Sequence, residues 1–147
     1  MNQQILSELI VRDLDKLVTE LKSFKHEENI WKAAPGVTNS AGNLTLHLVG
    51  NLNHFIGSML GNSGYQRNRD AEFASKNVTR ATLIESIHAT KTVVASTFSS
   101  VTDAALNEDF PFEVFGKKSA LHYVTLFYGH LSYHLGQVNY LRRILEA

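Results

Sequence analysis

The chain predicts an all-α domain, a bundle of four long helices joined by long crossover connections. Three observations carry this expectation: apolar residues recur at spacings of three and four over four long stretches, capping residues and glycines bracket those stretches, and only one short segment alternates in the manner of a strand. Connections this long permit non-consecutive neighbours.

The first stretch runs from about residue 3 to about residue 24. Ile5, Leu6, Leu9, Ile10, Leu14, Leu17, Val18, Leu21 and Phe24 form its apolar stripe, and Glu8, Arg12, Asp15 and Lys22 a solvated opposite face. Trp31 reads as a core anchor, and Pro35-Gly36 as a turn. Asn39 or Ser40 then offers an N-cap for a second helix, whose apolar run from Leu44 to Leu60 is stopped by Gly61 and Gly64. The polar, aperiodic segment from Tyr65 to Phe73 reads as a connecting loop. A third helix starts near Thr79, with Thr82 and Glu85 as a capping box or a first-turn acid, and ends near Ser100. Thr102-Asp103 looks like the cap of a short extra turn. Phe110 to Lys118 alternates aromatic or branched residues with polar ones, is broken by Pro111 and ends at Gly116, so an extended or hairpin-like strap over the helices is expected. From Ser119 the last helix runs to about Glu146.

With 147 residues and 44% hydrophobic content, the chain is sized for a single domain over its whole length. Lys plus Arg and Asp plus Glu balance at 14 each, and no basic stripe with interleaved aromatics appears, which argues against a nucleic-acid partner. The absence of cysteine removes disulfides, thiolate ligands and cysteine nucleophiles, and fits a reducing compartment. The N-terminus lacks the pattern of a signal peptide, and no window approaches the ~18 apolar residues of a membrane span. A cytoplasmic protein with no membrane partner is expected.

Chemistry is concentrated in histidine. Of the seven, His130 and His134 stand four apart in the last helix, so both imidazoles lie on one face and can converge on one ion. Two ligands leave a transition-metal site incomplete. His47 and His54, in the apolar second helix, are each able to supply the third, but not both, because seven residues separate them by about 10 Å at ~1.5 Å per residue. The setting of His47 between Leu46 and Leu48 favours it. His26, His88 and His122 read as surface residues.

Two segments, Leu44-Thr45-Leu46-His47-Leu48-Val49-Gly50-Asn51 and His130-Leu131-Ser132-Tyr133-His134-Leu135-Gly136-Gln137, together resemble the DinB-like superfamily, which places a histidine in its second helix and a His-x-x-x-His pair with a Gly-Gln step in its fourth. The resemblance spans nearly the whole chain in length and helix order. It implies a four-helix bundle of DinB-like type, a divalent metal, often nickel or zinc, held by His47, His130 and His134, and a homodimer. The superfamily includes the bacillithiol transferases and is related to the mycothiol-dependent maleylpyruvate isomerases. Tyr133 and Leu135 stand where many members carry a further His and an Arg. His54 falls outside the common pattern, at the rim of the site or against a partner subunit.

Three imidazoles would leave a coordination position open for water or an exogenous thiol, so a thiol S-transferase or hydrolase acting on a small-molecule substrate is one expectation. A non-catalytic module with a structural ion, and histidines that only hydrogen-bond in the core, are the others. Arg67, Arg69 and Arg80 are candidates to receive an anionic substrate, and Tyr133 and Gln137 are further rim candidates. No general base is evident. Glu72, Asp70 and Glu113 fall in expected loops and read as solvent-facing charges.

Overall fold

The computed structural model describes residues 1–147. It is helical throughout, and its only β pairing is an isolated bridge between Asp109 and Ser119. Helix α1 spans Asn2–Ser23 and buries Leu6, Ile10, Leu14, Leu17 and Leu21 along one stripe. It ends where Phe24 turns into extended backbone and tucks its ring into the core. A 3-10 turn at Glu27–Trp31 follows, and the Trp31 indole donates to the Val78 carbonyl while its ring packs against Gly42.

Helix α2, Ala41–Leu52, starts at Ser40, whose hydroxyl accepts from the Asn43 amide. It continues without interruption into a π-helical segment, Asn53–Leu60, that periodicity did not foretell. The wider turn is held by Asn53, whose amide donates to the Val49 carbonyl and to the Thr90 hydroxyl. Glycines let this segment press on its neighbour: a Cβ at Gly57 would stand 2.7 Å from Val93, and one at Gly61 would stand 2.3 Å from the Thr97 hydroxyl.

Residues expected to form a loop contain a short helix, α3, Arg69–Ala74. Six residues are too few to show a period, and the turn is nucleated by the Asn68 side chain, which accepts from the Ala71 N–H. Helix α4, Arg80–Ser100, begins at Thr79, which caps the Thr82 N–H; Thr82 and Glu85 therefore lie inside the helix and do not form the expected box. Thr102 caps the short helix α5, Asp103–Asn107, as expected. The segment after it is closed at its base by the Asp109–Ser119 bridge and at its tip by Tyr123, whose hydroxyl accepts from the N–H groups of Val114 and Phe115 and donates to the Gly116 carbonyl. Helix α6, Ala120–Leu145, starts at Ser119.

Main packing contacts run from α1 to α4 and α6, and from α2 to α4 and α6. The consecutive long helices α1 and α2 therefore face each other across the core. Each fully buried Leu or Ile there (Ile10, Leu14, Leu48, Leu52, Ile87) contributes about 1.5–3 kcal/mol by leaving water. Polar ties fix the α1–α6 seam: buried Asp13 accepts from Arg12 and from the Ser132 hydroxyl, and Glu20 accepts from Asn139 and Arg142. No helix is long and apolar enough to cross a membrane.

Candidate metal centre

Helices α2 and α6 meet at a group of three histidines. His47 is buried on α2, while His130 and His134 project from successive turns of α6 and are half-buried. Their imidazoles point nitrogen to nitrogen. His130 Nε2 lies 3.1 Å from His47 Nε2 and 3.0 Å from His134 Nε2, and one ligand atom from each residue falls within 4.8 Å of the others.

Hydrogen bonding alone accounts poorly for this arrangement. His130 Nε2 carries either one proton or one lone pair, so it can satisfy only one of its two nitrogen neighbours. A cation receiving three lone pairs satisfies all of them, and N···N separations of about 3.3 Å are what Zn–N bonds of ~2.0–2.1 Å in tetrahedral array require. The residues fit a divalent ion, and the group could hold one. No fourth His, Cys, Asp or Glu side chain joins it.

Burial lowers the basicity of His130 and His47 in the sense a ligand needs. The His130 imidazole is held down to about 4, first by burial and then by the neighbouring His134 and His47. His47 is also lowered, again mainly by burial, with Glu72 pulling in the opposite direction.

Around the three rings the structure places supporting groups. Glu72 was expected to face solvent, yet it is only 6% exposed: α3 turns it inward, and its Oε1 lies 3.0 Å from His47 Nδ1. Arg67, expected to await an anionic substrate, is already engaged, donating from Nε to Glu72 Oε2 and from Nη2 to Oε1, both at 2.8 Å. The Phe73 ring packs on His47, and Arg69 lies over Phe73, its guanidinium 5.2 Å from the ring centre. Gln137 Oε1 accepts from His134 Nδ1 at 2.6 Å, so it orients a ring from behind. Tyr133 is exposed beside His134, with ring centres 5.4 Å apart.

Other sequence candidates are not among the three grouped rings. Arg80 donates to the Phe24 and Lys22 carbonyls and so ties the end of α1. Asp70, Glu113, His88 and His122 are exposed. His54 sits in the π segment with its ring against Phe55; burial and the charge of Arg67 lower its basicity, and its Nδ1 is buried without a partner. A cavity of about 390 Å³, lined by Val37, Leu44, Tyr140, Leu141 and Ile144, touches the group only through Gln137, on the Nδ1 side of His134. It lies behind the ligand set.

Sequence reading missed Glu72 as a partner of His47. The contact joins residues 25 apart across a helix too short to signal itself, and the only local signal was the Asn68 cap.

A family described as "Protein of unknown function (DUF1572)" matches residues 7–147. No curated protein matches the chain.

Proposed function

The chain belongs to the DUF1572 family, and we propose that it is a metal-dependent enzyme of DinB-like architecture whose ligands are His47, His130 and His134. The observation that carries this reading is the convergence of three Nε2 atoms with no fourth protein ligand. Structural sites fill their coordination sphere with side chains, whereas catalytic ones keep a position free. A divalent ion, nickel or zinc, would supply Lewis acidity toward a water or an exogenous small-molecule thiol, in keeping with a thiol S-transferase. The chain's own residues orient the ligands: Glu72 holds His47, and Gln137 holds His134. Because His47 and Arg67 already engage Glu72, that carboxylate serves the site as an orienting group.

The arrangement in which α1 and α2 oppose each other, with α4 and α6 between them, supports a four-helix bundle of the DinB-like type. A homodimer belongs to the same reading. Leu126, Tyr133, Tyr140 and Ile144 leave large apolar surfaces exposed along α6, spaced at seven, seven and four, and a second copy of this chain is the occupant proposed for them. A cysteine-free chain suits the reducing cytoplasm, where low-molecular-weight thiols abound.

Elemental analysis of protein purified without a polyhistidine tag or added metal tests the proposal, paired with spectroscopy of a cobalt-substituted sample. About one equivalent of metal, with a spectrum that changes when a small thiol is added, is the expected result. Metal in a closed site that ignores thiols would leave a structural ion. Absence of metal, with helicity unchanged by chelators, would leave three hydrogen-bonded core histidines.

A further inference from the structure

We infer that Glu72 is the positioning residue of the histidine group, and that position 50 must be glycine in order to seat it. The inference rests on the metal-binding reading and goes beyond it, because it assigns the site's affinity to residues that touch no ion.

Glu72 is a buried carboxylate, which is costly unless its oxygens are fully engaged. Both are: Oε1 meets His47 Nδ1 and Arg67 Nη2, and Oε2 meets Arg67 Nε. Arg67 Nη2 also lies 3.3 Å from His47 Nδ1, but its shorter bond, 2.8 Å, goes to Glu72 Oε1; the 3.0 Å contact between that oxygen, which only accepts, and His47 Nδ1 therefore places the proton on Nδ1 and leaves Nε2 with its lone pair facing His130 and His134. One tautomer of His47 is thereby selected, and it is the one a metal needs.

Delivery of this carboxylate is built into the fold. Asn43, two turns from Gly50 on α2, donates its amide to the Glu72, Phe73 and Ser75 carbonyls and so clamps the end of α3 onto α2. Gly50 then provides clearance. A Cβ there would stand 2.0 Å from Glu72 Oε2 and 2.6 Å from its Cδ, so the carboxylate would have to shift, and to do so it must loosen its bonds to Arg67 and His47. Glycine inside a helix is less stable than alanine, so its presence mid-helix in α2 reflects the space that Glu72 occupies.

A double-mutant cycle decides the matter. Zinc affinity is measured by competition with a chromophoric chelator for the wild type, Gly50→Ala, Glu72→Ala and the pair, together with the ¹⁵N shifts of the His47 imidazole in metal-free protein. Each single change should weaken zinc binding ~10–100-fold, the usual range for removing a group that orients a ligand. The pair should be no weaker than Glu72→Ala alone, since alanine at position 50 then meets no carboxylate, and every variant should lose the Nδ1–H preference of His47. Glu72→Gln, which keeps the volume of the side chain, guards against misfolding of Gly50→Ala and should weaken zinc binding by the same order. Wild-type affinity in Glu72→Gln, or a Gly50→Ala loss of equal size with and without Glu72, would overturn the inference. Should the wild type bind neither zinc nor nickel, the metal reading fails separately, and an Nδ1–H preference that persists in Glu72→Ala would still refute the role of Glu72.

Discussion

His47 and His130 stand Nε2 to Nε2 at 3.1 Å across the junction of α2 and α6, with residues 83 apart in sequence brought to hydrogen-bonding distance. Each should therefore be indispensable to metal retention. His47→Ala, His130→Ala and His134→Ala should each lose more than the ~10–100-fold that removal of a supporting group costs. His54→Ala and His122→Ala should keep wild-type metal content, because neither ring belongs to the group. Metal content by mass spectrometry of the five purified variants checks this, and equal content in all of them would sink the ligand assignment.

Leu48 follows His47 on α2 and is fully buried. Truncating it to alanine leaves a cavity that the packed α2 cannot close, and a loss of about 2–5 kcal/mol is expected from urea unfolding. The folded fraction should still bind metal, since the ligand face of α2 is turned elsewhere. A loss under 1 kcal/mol would mean that the core around α2 is looser than described.

Tyr123 has its ring in the core and its hydroxyl under the tip of the 109–119 segment, where it makes three backbone hydrogen bonds. Tyr123→Phe keeps the ring and deletes the clasp. A destabilisation of about 1–3 kcal/mol is expected, with faster proteolytic cleavage between residues 111 and 117. Cleavage at the wild-type rate would show that the bridge at Asp109 and Ser119 suffices to hold the segment.

Glu146 closes the far end of the molecule. Partial burial opposes its charge, but the N–H groups of Lys25 and His26 and the Asn29 amide outweigh this and hold the carboxyl down to about 2, below its ordinary 4.5. A carboxylate with a depressed folded value stabilises the fold fully above pH 4.5 and loses that contribution as the pH falls from 4.5 toward 2. Melting temperatures of the wild type and Glu146→Gln should accordingly differ by a constant amount near neutrality and converge across that acid window. Parallel curves down to pH 2 would contradict the assignment.

How much of this was legible in the sequence depends on whether a signal was local. Ser40, Thr102 and Ser119 announced their helices because a capping hydroxyl acts within three residues. His130 and His134 announced a shared face because the helical period is fixed. Glu72 was misjudged because burial is a tertiary property: nothing in Arg67-Asn68-Arg69-Asp70-Ala71-Glu72 says which charge turns inward. The π segment was equally silent, since its apolar residues satisfy an α pattern and the wider turn depends on the Asn53–Thr90 contact with α4.

The origin of the ligands in the chain has a kinetic consequence. Two come from one helix and form as soon as α6 coils, but the third arrives only when a loop of 83 residues has closed. An ion captured once that loop closes would thus act as a latch on long-range topology, slowing the escape of α2 from α6 far more than it speeds their first encounter.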